Sequence, residues 1–215
     1  MNITVAVMAH PKRKLQAEYL ASILKLYPFT EVTISYDGVD AGSHQEEWDN
    51  GKRAMMAGWE RGDWHVVIQD DAVLTPNFYE NIEGAIANVP TRSLISLYTG
   101  MPRPMGKRVL TAVNKCNDET WLTYWLLMWG VGLLIPSSHI KPMIDFVDER
   151  TEPYDTRIGI FYQRNMLPVY YTMPSLVDHD DDMDSLLEHG KAGGRRVAHR
   201  LATGLVKWNK LVITI

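Results

Sequence analysis

A chain of 215 residues, 46% of them hydrophobic, can bury one substantial core and is within the range of a single α/β domain. Its formal net charge of −4 argues against strong nonspecific binding to nucleic acid. One cysteine, Cys116, excludes an internal disulfide and fits a reducing compartment.

Ile3 to Met8 has a strand pattern, without the basic segment, long apolar core and cleavage site of a signal peptide, so a cytoplasmic location is expected. After the turn at Ala9-His10-Pro11, the apolar spacing of Leu15, Tyr19, Ile23 and Leu24 predicts a helix that stops before Pro28. Glu31 to Tyr36 is a second strand, ending in Asp37-Gly38. A second helix is predicted from Glu46 to Arg61, with Trp48, Met55 and Trp59 near one face and Asn50-Gly51-Lys52-Arg53 within it. Gly62-Asp63 then turns the chain into the next strand, which completes the β-α-β-α-β order of a nucleotide-binding half.

That next strand carries the most informative stretch, His65-Val66-Val67-Ile68-Gln69-Asp70-Asp71. The β-branched run predicts a strand buried on both faces of a mostly parallel sheet flanked by helices. Two adjacent carboxylates end it, and acids are costly to bury unpaired, so the pair is expected to meet water, a cation or a metal. In an open α/β sheet this is also where ligands bind. A simpler role for one of the acids is to cap the helix that opens at Thr75-Pro76-Asn77.

Further along, Asn77 to Asn88 is predicted as a helix and Ser93 to Tyr98 as a strand. Thr99 to Arg108 is expected to be a loop, because Gly100, Pro102, Pro104 and Gly106 interrupt it. Its cations Arg103, Lys107 and Arg108 suit a phosphate-bearing or acidic acceptor. Trp121 to Ile135 is too short for a membrane span, which needs roughly 18 residues or more, and reads as core or pocket wall whose aromatic faces also suit a sugar ring. Asp155 stands at the expected start of a helix, where an N-cap or helix-dipole contact is the simpler role. Val169 to Met173 is a strand leading to Pro174-Ser175-Leu176-Val177-Asp178-His179, and the acids Asp180, Asp181, Asp182 and Asp184 beyond it suit a solvated face.

Gln69-Asp70-Asp71-Ala72-Val73-Leu74, followed by Pro76 and Phe78, resembles the Asp-x-Asp-type motif of GT-A nucleotide-sugar glycosyltransferases. It is most similar to the Glu-Asp-Asp-Ala-Val-Leu version of lipopolysaccharide-type transferases, with Gln69 in place of the first acid. The Pro-Ser-Leu-Val-x-His stretch resembles the end of the catalytic domain in the same transferases.

This resemblance implies a single GT-A, Rossmann-like domain over residues 1–190, with a basic segment at 191–215 packed on it or extending from it. It further implies a glycine-containing strand that leads into a helix, for which Ser137 or Ser138 supplies the cap and Ile140, Met143, Ile144 and Val147 the apolar stripe. By resemblance, His10, Arg13, Asp37, Arg53 and Asp70 are donor contacts, Asp71 and His179 hold a divalent cation, and Asp155 faces the acceptor, where it is the general base if the reaction inverts configuration and loses that role if it retains it. Mixed carboxylate and imidazole ligation favours Mn²⁺, with Mg²⁺ as the alternative.

The implied activity is transfer of a sugar from a nucleotide donor, preferably UDP-linked, to a saccharide or glycolipid hydroxyl. Modified bases of DNA are an alternative acceptor. Clustered acids also suit a metal-dependent phosphodiesterase, and a non-catalytic sugar-nucleotide-binding module is a third reading. The cations Lys191, Arg195, Arg196, Arg200, Lys207 and Lys210 imply local affinity for phosphates, including those of a membrane surface. A basic helix packed on an acidic body accounts for them equally well.

Overall fold

The computed structural model describes residues 1–38, 43–101, 105–116, 121–180 and 196–215. Arg103, Asp181, Asp182, Asp184, Lys191 and Arg195 lie outside the described residues. In chain order the elements are β1 (Ile3–Ala9), α1 (Lys14–Leu24), β2 (Glu31–Tyr36), α2 (His44–Met56), β3 (Trp64–Gln69), β4 (Ala72–Leu74), α3 (Phe78–Asn88) and β5 (Ile95–Ser96). They continue as α4 (Gly106–Lys115), β6 (Trp121–Tyr124), β7 (Gly132–Pro136), α5 (Ser137–Val147), α6 (Tyr154–Arg164), β8 (Val169–Thr172), β9 (Val177–His179) and β10 (Val212–Thr214).

Eight strands form one sheet in the order β10-β6-β8-β5-β7-β3-β1-β2. The pairs β1·β2, β1·β3, β5·β8 and β6·β10 are parallel, whereas β3·β7, β5·β7 and β6·β8 are antiparallel. The sheet is therefore mixed, which corrects the expectation of a mostly parallel one. Its parallel β2-β1-β3 part is the half that the β-α-β-α-β order predicts, and β7 breaks the pattern by entering beside β3 in the opposite direction.

Both faces of the sheet are covered. Ile3, Val5 and Val7 of β1 with Val66 and Ile68 of β3 pack with α1 and α3, whereas Ala6, Met8 and Val67 pack with α2 and α5. This period-2 division explains the uninterrupted apolar run of β3, because neither of its faces meets water. Burying each such side chain contributes about 1.5–3 kcal/mol.

Several local expectations are corrected. In α1 the buried stripe is Ala17, Leu20, Ala21 and Leu24, while Leu15 and Tyr19 are 78% and 69% exposed. Two alanines let the helix approach the sheet closely, so the small residues face inward. α2 ends at Met56, short of Arg61, and Gly106, Lys107 and Arg108 begin α4, whose buried face is Val109, Ala112 and Val113. α5 has the expected stripe of Ile140, Met143, Ile144 and Val147, but neither serine caps it: Pro136 is the N-cap, with no side-chain hydrogen bond. Cys116 is buried.

The described part of the C-terminal segment, 196–215, is woven into the body and contains no helix. Asn81 on α3 accepts from the Val206 N–H at 2.8 Å and donates to the Gly204 carbonyl at 3.0 Å. Trp208 packs on Trp121 at 4.9 Å between ring centroids, and β10 adds an edge strand beside β6. Among the described residues, no helix is long and apolar enough to cross a membrane.

Candidate active site

The site begins where β3 stops. The Asp70 N–H still donates to the Met8 carbonyl, so the chain leaves the sheet with both carboxylates just beyond its carboxyl edge. Neither acid caps α3, whose N-cap is Asn77 with no side-chain cap bond. Instead, Asp70 and Asp71 are each 6% exposed and share one cation. Arg13 Nη1 lies 2.9 Å from Asp70 Oδ1 and 2.7 Å from Asp71 Oδ2.

Arg13 reaches the acids because β1 is followed by a short 3₁₀ turn, Pro11–Arg13. In that turn the His10 imidazole accepts from the Lys12 N–H, and the His10 N–H donates to Asp70 Oδ2 at 2.8 Å. The end of β1 and the end of β3 are therefore joined through Asp70.

His179 arrives from the far end of the chain. β4 and β9 form a separate two-stranded ribbon in which Ala72 faces His179, and the Asp180 N–H donates to the Asp71 carbonyl. This register sets His179 Nε2 3.3 Å from Asp71 Oδ2, with both residues buried. Asp71 Oδ1 and His179 Nδ1 are buried without a hydrogen-bond partner. Burial by itself would raise the Asp71 carboxyl, but His179 and Arg13 together hold it below the ordinary carboxylate range. Burial prevails at Asp70 and, with the charge of Asp71, raises its carboxyl despite the His10 N–H and Arg13.

A second group lies at the ends of β1 and β2. Asn50, fully buried on α2, donates to Asp37 Oδ1 at 2.7 Å and to the Ala9 carbonyl at 3.1 Å, and its own Oδ1 is buried without a partner. Arg53, on the more exposed flank, donates to the Tyr36 carbonyl and pairs with Glu46 at 2.8 Å. Burial raises the Asp37 carboxyl, a shift that the Asn50 hydrogen bond and the nearby charge of His10 reduce. In the sequence Asn50 stands out only as part of the Asn50-Gly51-Lys52-Arg53 stretch, and it is its full burial and its bond to Asp37 that single it out.

Asp155 occupies the first turn of α6, where its Oδ1 accepts from the Thr156 N–H at 2.7 Å. No hydrogen bond or ion pair among the described residues joins it to Asp71 or His179. Its field does reach Glu47 on α2, a residue that sequence reasoning missed. Burial, then the charges of Asp155 and Asp37, push the Glu47 carboxyl up to about 7, against the pull of the Tyr154 backbone N–H. Glu47 thus links the Asp37 corner to the start of α6. Of the aromatic run, Trp121 is core, whereas Trp125 is 47% exposed and is the tryptophan there most open to a ligand.

Among the described residues, no group of three or more His, Cys, Asp or Glu side chains is arranged to hold a metal. Asp71 and His179 form a two-donor set. Their 3.3 Å separation is close to the roughly 3 Å between adjacent ligands on one octahedral ion. With the unpartnered Asp71 Oδ1 beside them, the residues fit a divalent cation that takes its other ligands from substrate and water.

No protein-family model matches the chain, and no curated protein matches it. Among solved structures, it is similar to one described as the "Crystal structure of a glycosyltransferase involved in the glycosylation of the major capsid of PBCV-1", with 11% sequence identity and a TM-score of 0.44, over 84% of this chain and 94% of that one.

Proposed function

We propose that this chain is a metal-dependent glycosyltransferase that moves a sugar from a nucleoside-diphosphate donor, preferably UDP-linked, to a hydroxyl of a saccharide or glycolipid. The observation that carries the reading is the β4–β9 ribbon, which brings His179 against Asp71 at the carboxyl edge of the sheet, beside Asp70, Arg13 and His10. Buried acids, an imidazole and a guanidinium converging at that edge suit a diphosphate and its counter-ion.

In this reading Asp71 and His179 hold the cation, Mn²⁺ in preference to Mg²⁺ because an imidazole is among the ligands. The cation supplies Lewis-acid stabilisation of the charge that develops on the leaving diphosphate. Asp37, held by Asn50, and Arg53 take the nucleoside end, while His10, Arg13 and Asp70 take the ribose and diphosphate. Asp155 accepts the proton of the acceptor hydroxyl, and burial, which raises its carboxyl, makes it a better match to that role.

The test is incubation with UDP-, GDP- and dTDP-sugars plus Mn²⁺, read by thermal shift and by slow donor hydrolysis. Mn²⁺-dependent stabilisation with hydrolysis supports the transferase. Stabilisation without hydrolysis returns the protein to a binding module, and no response to any donor overturns the reading.

A further inference from the structure

We propose that Arg13 is a resident counter-cation of the Asp70–Asp71 pair, which it yields to a divalent cation as it turns to the donor diphosphate. The inference rests on the transferase reading above and adds to it an order and a coupling between two ligands.

The geometry is specific. A single nitrogen, Arg13 Nη1, serves both acids, and the Arg13 side chain is 12% exposed. The oxygen of Asp71 that it binds, Oδ2, is the same one that His179 approaches at 3.3 Å, while Oδ1 stays unpartnered. Two buried carboxylates in neighbouring positions repel each other, and a cation placed between them offsets that repulsion. Arg13 supplies that cation with no bound metal.

A dication held between Asp71 and His179 would share Asp71 with a guanidinium already in contact with it, and like charges at that distance in a buried site repel strongly. Metal binding by itself is therefore opposed by Arg13. A diphosphate removes the conflict, because it gives the guanidinium a bidentate anionic partner and gives the metal further oxygen ligands. The side chain is well placed for such a swing: it leaves the 3₁₀ turn at the end of β1, while the backbone around it stays tied to Asp70 through the His10 N–H.

The consequence is reciprocal coupling: nucleotide strengthens metal binding and metal strengthens nucleotide binding by the same factor. A purely structural Arg13 ion pair makes no such demand. The test measures Mn²⁺ binding by the loss of the free-ion paramagnetic resonance signal, with and without UDP, in the native protein, Arg13→Gln and Arg13→Lys, each checked for folding by thermal melting.

In the native protein, UDP is expected to tighten Mn²⁺ by about tenfold or more, the usual range of such couplings. Arg13→Gln is expected to bind Mn²⁺ alone more tightly than the native protein and to lose most of the UDP effect. Arg13→Lys, which keeps the charge, is expected to retain weak binding of Mn²⁺ alone. Equal Mn²⁺ affinity in native protein and Arg13→Gln overturns the proposal while leaving the metal site intact. Independence of UDP and Mn²⁺ in the native protein overturns it without recourse to a variant. Absence of Mn²⁺ binding in every protein, with or without UDP, overturns the metal reading itself and this proposal with it.

Discussion

His179 Nε2 lies 3.3 Å from Asp71 Oδ2, and that contact depends on the register of a three-residue ribbon in which His179 faces Ala72. A shift of one residue would turn the imidazole to the opposite face. Asp71→Asn keeps the side-chain shape and removes the charge, so it should retain the fold and lose Mn²⁺-dependent UDP binding. His179→Ala should lose less, because it leaves the acid in place. Calorimetric titration with UDP and Mn²⁺ checks both, and undiminished binding in Asp71→Asn would remove that acid from the cation site.

Asp155 acts, in the proposed reaction, only after the donor has bound. Asp155→Asn should leave the donor KM nearly unchanged and lower kcat by about 10²- to 10⁴-fold, the usual range for general-base assistance. Because burial raises the Asp155 carboxyl, native turnover should increase as pH rises through that raised value and then level off. Near-native turnover of the variant would return Asp155 to its contact with the Thr156 N–H.

Two buried groups should tilt stability with pH in opposite directions. His65, bonded to Thr4 and to the Ala54 carbonyl, is held by burial at a lowered value of about 4. The unfolded chain takes up that proton first, so the contribution of neutral His65 is fully present above about pH 6.5 and is lost as pH falls toward 4. Glu47, raised to about 7, behaves in reverse, stabilising the fold below about pH 4.5 and ceasing to do so as pH rises through 7. Each effect is on the order of 3 kcal/mol when fully developed. Across pH 4.5–6.5 the two should largely cancel in the native protein. Denaturant melts should show Glu47→Gln losing stability more steeply than native protein on acidification, and His65→Gln gaining it. Superimposable pH profiles for all three proteins would rule out these two groups as the source.

Glycines at two packing points, Gly51 within α2 and Gly58 in the turn that follows it, should resist replacement by alanine. Alanine is favoured over glycine in a helix interior by about 1 kcal/mol, but a Cβ at Gly51 would stand 2.3 Å from the buried Tyr154 ring. At Gly58 it would stand 2.0 Å from His65 Nδ1. Gly51→Ala and Gly58→Ala should each destabilise by about 1–3 kcal/mol, the cost of overpacking. Gly204, whose Cβ position has nothing within 4 Å, is the control and should be near neutral. Equal thermal midpoints for Gly51→Ala, Gly58→Ala and Gly204→Ala would show that neither contact is tight.

The sequence by itself determined the strands β1, β2 and β3 and the placement of Asp70 and Asp71 at the carboxyl end of β3. These follow from local periodicity, which needs no knowledge of distant neighbours. Tertiary structure decided the rest. Strand direction was hidden because an apolar run buried on both faces looks the same whether its neighbour is parallel, as β1 is to β3, or antiparallel, as β7 is. The start of α4 was masked by the prolines and glycines around Gly106. In α1, close packing against the sheet selected Ala17 and Ala21 over the larger Leu15 and Tyr19. Most of all, the partners at the site come from separate elements. Arg13 follows β1, Asn50 and Glu47 lie on α2, and His179 ends β9, so only the folded chain brings the guanidinium between the acids and the imidazole against Asp71, because those contacts depend on pairings between residues remote in sequence.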